Sequence, residues 1–102
     1  MNELISKVIV WAGNKDLLKE ENSLRQFTKV VEETGEVAAA LARQNKENLK
    51  DGIGDVIVTL IILAEQQGLT VEECLQAAWD EIKDRKGKTV DGAFVKEEDL
   101  EG

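Results

Sequence analysis

The chain has no histidine, no proline and a single cysteine, and each absence narrows what it can do. Without histidine there is no imidazole base and no imidazole metal ligand, which leaves carboxylates and hard, oxygen-preferring cations. Cys74 alone can form neither an internal disulfide nor a zinc-type cluster, and a reducing cytoplasm is the natural setting. Aromatic residues make up only 4% of the chain while 33% is charged. With proline missing as well, that mix favours a mostly helical chain with polar outer faces. Positive charge is also scarce. The formal net charge of −8 argues against a nucleic-acid backbone as partner and suits a protein that gathers cations. The start, MNELISKVIVWAGNK, lacks the layout of a signal peptide.

What is present is organised around Asp51–Ala64, DGIGDVIVTLIILA. From Ile53 onward it is apolar on every side of a helix, so it reads as the wholly buried centre of a bundle. It is too short for a bilayer, which needs about 20 apolar residues. Asp55 sits inside this run, and burying a lone carboxylate costs several kcal/mol unless a cation or donors meet it. Asp51 lies one turn earlier and shares its face. An internal ion pair of Asp55 with Lys83 or Arg85 is the plain structural alternative.

At 102 residues the chain suits one domain with a modest core. Leu4, Ile5, Val8, Ile9 and Ala12 recur at helical spacing, which predicts a first helix over residues 2–12, ended by Trp11 and Gly13-Asn14. Ser23 with Gln26 predicts a capping box opening a second helix that runs to about Gln44. A third runs from about Leu49 to Gln67, with Gly68 at C′. Thr70 with Glu73 opens the fourth, which Gly87 closes, and the short connection makes helices three and four an antiparallel hairpin. The remainder is polar apart from Val90, Phe94 and Val95.

Helix two carries Glu32-Glu33-Thr34-Gly35-Glu36. The three glutamates occupy roughly a 100° arc and repel one another. Gly35 in a helix interior costs about 1 kcal/mol against alanine. A divalent cation would offset the repulsion, and the missing side chain would let a helix or ligand come close. A glutamate cluster is also commonly a solvated face. Other metal motifs are excluded: there is no EF-hand loop, no Glu-x-x-His pair and no G-x-x-x-x-G-K-[ST] phosphate loop.

Glu32-Glu33-x-x-Glu36 followed by Gly54-Asp55-Val56 at the head of an apolar helix resembles the MazG family of nucleotide pyrophosphohydrolases, whose pattern is E-E-x-x-E, a spacer, then E-x-x-D. The likeness covers about Leu4 to Lys88. It implies an all-α fold of four-helix-bundle type over residues 1–88, with a short polar tail over 89–102 that reaches a neighbouring subunit. It implies hydrolysis of a nucleoside triphosphate to the monophosphate and pyrophosphate, with magnesium, or manganese as substitute, and a homodimer or homotetramer. Glu33, Glu36 and Asp55 are the expected metal ligands, with Asp51 a weaker one and Glu32 a spare carboxylate for the water or a second ion. All of these except Asp51 are expected to be catalytic. Lys83, Arg85 and Lys86 match the family's phosphate-contacting residues, although cations at a helix C-terminus also favour the dipole. Trp11 or Trp79 is expected to stack on the base, unless it serves the core. One departure stands out: Gly52 occupies the place of the first acid of E-x-x-D, which puts a second metal ion in question. The rival reading is a non-enzymatic acidic helical module, an adaptor or a mimic of nucleic-acid charge. A cation-dependent structural domain is a weaker third.

Overall fold

Helical periodicity accounts for most of the backbone, as described by a computed structural model for residues 2–100. The helices are α1 (Asn2–Asn14), α2 (Ser23–Ala42), α3 (Lys46–Gln66), α4 (Val71–Ile82) and the single turn α5 (Glu97–Leu100), with a 3-10 turn at Glu20–Asn22. Two short strands, β1 (Gly87–Val90) and β2 (Ala93–Lys96), form the only sheet among the described residues. The all-α expectation holds. The backbone divides into two compact units, one through Val71 and one from Glu72, a division inside what composition reads as one domain. None of the described helices is by itself long and apolar enough to cross a membrane.

In the first unit α2 and α3 form the main pair. Gln26 on α2 donates from Nε2 to the Thr59 carbonyl on α3 at 3.0 Å, while Val37 meets Gly52. One index rises as the other falls, so the helices run antiparallel. On α2 the inward stripe is Gln26, Val30, Glu33, Val37 and Ala40, spaced by three and four. Gly52 is buried, and a Cβ there would lie 3.1 Å from Val37 Cγ2. Its missing side chain lets the two helices close. α1 packs on α3, burying Ile5 and Ala12, with Ile61 and Ile62 buried on α3. Each large aliphatic chain hidden in this way contributes about 1.5–3 kcal/mol. Gln66 ties the α1–α2 connection down by donating to the Leu17 carbonyl at 2.8 Å.

The apolar run is not wholly buried. Asp55 is exposed, and Ile53, Ile57 and Leu60 keep 48%, 41% and 40% of their surface. Among the described residues of its unit α3 packs on α1, α2 and the 3-10 turn, so a helix apolar all round retains an open face. A matching stripe on α2, Leu24, Phe27, Val31 and Leu41, is also exposed, Leu24 to 85%.

Local chemistry moves several boundaries. The Ser23–Gln26 capping box does not form, because Ser23 Oγ donates back to the Glu20 carbonyl at 2.7 Å and Gln26 reaches across to α3. α3 starts three residues earlier than predicted because the Asn45 side chain accepts the Asn48 N–H, an N-cap worth about 1 kcal/mol. Among the described residues nothing lies within 4 Å of where a Cβ on Gly35 would stand, so no helix of this chain uses that gap. Gly68 takes φ +73° and ends α3 as predicted.

In the second unit α4 stops at Ile82, and Gly87 opens β1 instead of closing a helix. A Cβ on Gly87 would collide with the Val95 carbonyl and the Phe94 ring. Asp91 and Gly92, at φ 50° and 82°, make the two-residue loop whose twist suits a hairpin. The register pairs Gly87 with Lys96 and Val90 with Ala93. The supposed polar tail is thus a folded hairpin, closed by the Glu97 N–H donating to the Lys86 carbonyl at 2.7 Å.

Candidate active site

The inward stripe of α2 would be an ordinary apolar seam but for Glu33. Its position between Val30 and Val37 makes it half-buried, while Glu32 and Glu36 on either side are exposed. Glu33 Oε2 is hidden from solvent and has no hydrogen-bond partner among the described residues. A buried carboxylate oxygen without a donor is costly. Burial pushes the Glu33 carboxyl above its usual range, the charges of Glu36 and Asp55 push it further, and Lys29 opposes them in part.

The antiparallel pairing brings Asp55 of α3 to this turn of α2. Carboxylate oxygens of Glu33, Glu36 and Asp55 all lie within 4.8 Å of one another. Among the described residues no lysine or arginine forms an ion pair with any of the three; Lys29 instead holds Glu32 at 3.4 Å. An all-oxygen donor set with one buried, unpartnered oxygen fits a hard divalent cation, which would supply the missing positive charge. The expected ligand trio is therefore assembled, but Asp55 reaches it from an exposed position, not from a dry one.

Beside the trio runs a cleft of about 380 Å³, walled by Glu36, Ala39, Ala40 and Arg43 from α2 and its end and by Asn48, Asp51, Gly52 and Asp55 from α3. Asp51 thus faces the same space as Glu36 and Asp55 without belonging to the trio. Sequence reasoning missed Arg43 and Asn48. Arg43 is the residue that caps the C-terminus of α2, and a lone cation there reads as a partner of the helix dipole. Nothing in its spacing marks it as part of a cleft.

The remaining expected residues lie elsewhere. Trp11 is half exposed on an apolar hollow with Leu4, Lys7, Val8 and Val58. In the second unit Trp79 is also half exposed. Lys83 pairs with Asp80 at 3.4 Å and Arg85 with Glu81 at 3.0 Å, both within one helical turn of sequence. Arg85 and Lys86 line a separate hollow with Lys96, Glu81, Asp84, Glu97 and Glu98.

An uncharacterized 18.2 kDa protein in the rep-hol intergenic region of Haemophilus phage HP1 (strain HP1c1) is 35% identical over 66 residues. That match covers 65% of this chain but 40% of the phage protein. No solved structure matches. The MazG nucleotide pyrophosphohydrolase domain matches residues 15–90, a span that contains the three acids, the cleft and the basic segment after α4. Members of that family typically depend on a divalent metal. On that match the chain belongs to the MazG nucleotide pyrophosphohydrolase family.

Proposed function

We propose that the protein hydrolyses nucleoside triphosphates to the monophosphate and pyrophosphate with magnesium, or manganese in its place. The observation that carries this is the convergence of Glu33, Glu36 and Asp55 around a buried oxygen that the fold leaves unpartnered. These three side chains would hold the cation. When bound, it neutralises phosphate charge and lowers the pKa of a coordinated water. Asp51, on the cleft wall, supplies a weaker oxygen. Glu32 is exposed and held only by the surface pair with Lys29, so it is free to orient the attacking water. Because Gly52 is wedged against Val37, no acid stands at that place, and the site is built for one tightly held cation.

Lys83, Arg85 and Lys86 hold the outer phosphates. Their exposed pairs with Asp80 and Glu81 exchange readily, since such pairs are worth about 0.2–1 kcal/mol. An exposed indole, Trp11 or Trp79, stacks on the base. A second copy of the chain covers the open apolar stripes Leu24–Phe27–Val31 and Ile53–Ile57–Leu60, giving a homodimer or a homotetramer. Stripes of this kind mark association surfaces.

The test is pyrophosphate release from a panel of nucleoside triphosphates, with magnesium and with chelator. Release that needs magnesium is expected, and Glu36→Gln should lower turnover at least about 100-fold, the scale lost with a key electrostatic group. Unchanged release in that variant removes Glu36 from the mechanism. Absence of release from every nucleotide removes the activity.

A further inference from the structure

We propose that Arg43 is a substrate-binding residue, whose guanidinium grips polyphosphate oxygens at the end of the cleft away from Glu36 and Asp55. This deepens the triphosphate reading above and rests on it. Among the described residues Arg43 is the only cation lining that cleft, against Glu36, Asp51 and Asp55. Among the described residues its side chain makes no hydrogen bond or ion pair. The other arginine described in a pocket, Arg85, is spent on Glu81. An arginine left unengaged beside three carboxylates is poised for a ligand that brings its own negative charge.

The helix geometry gives the arrangement a direction. Arg43 lies seven residues beyond Glu36, almost two full turns and about 10 Å of axial rise, and so on the same face. Helical side chains lean toward the N-terminus, which turns Arg43 back along the cleft toward Glu36. Since α3 runs antiparallel, Asn48 stands near the Arg43 end, while Asp55 stands with the acids. Between the two ends the walls carry the small residues Ala39, Ala40 and Gly52, with the Asp51 carboxylate one helical turn from Asp55. A cation-holding acidic end, a floor of small residues and a guanidinium-plus-amide end suit an extended anion whose inner oxygens meet the cation. The planar fork of arginine matches phosphate bidentately, as lysine does not.

The experiment compares the parent with Arg43→Gln and Arg43→Lys by calorimetric titration of an α,β-methylene nucleoside triphosphate in magnesium, and of manganese alone. Steady-state pyrophosphate release is measured alongside. Arg43→Gln should bind the analogue at least about tenfold more weakly, the loss expected for a charge-assisted contact, and raise KM with kcat little changed. Manganese affinity should stay at the parent value, and Arg43→Lys should fall between the two. Equal analogue affinity in parent and Arg43→Gln, with the parent active, overturns the assignment of Arg43 alone. Loss of manganese affinity in parallel with analogue affinity also overturns it, since Arg43 then supports the acids structurally. A parent that neither binds the analogue nor releases pyrophosphate overturns both readings.

Discussion

The acids where α2 meets α3 and the cations that follow α4 are treated in opposite ways by the same chain. Lys83 and Arg85 each lean on an acid three or four residues away, so that stretch is neutralised locally and cheaply. Glu33, Glu36 and Asp55 converge within 4.8 Å with no such relief, and one Glu33 oxygen is sealed off without a donor. The contrast even runs through one turn of α2, where Lys29 pairs with Glu32 and only partly offsets the charge around Glu33. A surface pair that the fold satisfies contributes little and exchanges readily. A half-buried charge that the fold fails to satisfy is a standing cost, retained where function uses it.

The largest effect expected from this contrast is in Asp55→Asn. Because Asp55 is exposed, metal-free stability should change by no more than about 0.5 kcal/mol. The parent should gain about 2.7 kcal/mol at a magnesium concentration a hundredfold above Kd, and the variant should lose most of that gain. Denaturation of both proteins, with magnesium and with chelator, measures all four quantities. A loss of roughly 3–5 kcal/mol in chelator would mean that Asp55 was half of a buried ion pair, and the contrast would collapse.

Gly52 sharpens it from the side of packing. A new Cβ there would sit 3.1 Å from Val37 Cγ2, so the valine would have to give way. Gly52→Glu should therefore destabilise by about 1–3 kcal/mol, as overpacking does, read from the denaturant midpoint. A variant as stable as the parent that binds manganese more tightly would show the position to be a vacant ligand seat instead.

Glu33→Gln addresses the strained oxygen itself. A carboxyl raised above its ordinary value holds its proton more tightly folded than unfolded, so metal-free stability from this group rises as pH falls through the raised value and is lost at higher pH. At pH 7 the glutamine variant should be more stable than the parent by roughly 0.5–2 kcal/mol, the usual gain at a relaxed functional site. The gap should close on acidification, when Glu33 becomes neutral too. A gap that is constant from pH 7 to pH 4 would show that charge at Glu33 is not the source.

Much of this was legible in the sequence, for reasons that also explain the failures. Helical spacing placed α1 to α3 to within a few residues, and the glutamates of α2 pointed to their partner Asp55. The burial of Asp55 was misjudged because an apolar run says how much surface wants cover, not which neighbour provides it. Ser23 and Gln26 form a capping pattern that tertiary contact overrides, since Gln26 finds the Thr59 carbonyl across the helix pair. The hairpin had a readable signal in Asp91-Gly92 between Lys88-Thr89-Val90 and Ala93-Phe94-Val95, the loop pair that tolerates positive φ twice. Arg43 had none, because lining a cleft is a property of two helices at once.

The smallest expected effect lies on the satisfied side of the contrast. Lys83 and Asp80 are 3.4 Å apart with about half of each side chain exposed. A pair at this spacing on a helix surface couples by about 0.3–0.5 kcal/mol, so Lys83→Ala should barely move the denaturant midpoint. A double-mutant cycle with Asp80→Ala isolates that coupling, and raising the salt concentration should erase it. If Lys83 also holds an outer phosphate, the alanine variant should raise KM for triphosphate while kcat stays near the parent value, the pattern of lost uniform binding. Asp80→Ala should leave KM level or lower it, because it frees the ammonium. A variant at Lys83 that melts far lower with KM unaltered would make the lysine a structural partner of an acid. The second unit would then be no better satisfied by surface pairs than the first, and the distinction between the two regions would fail.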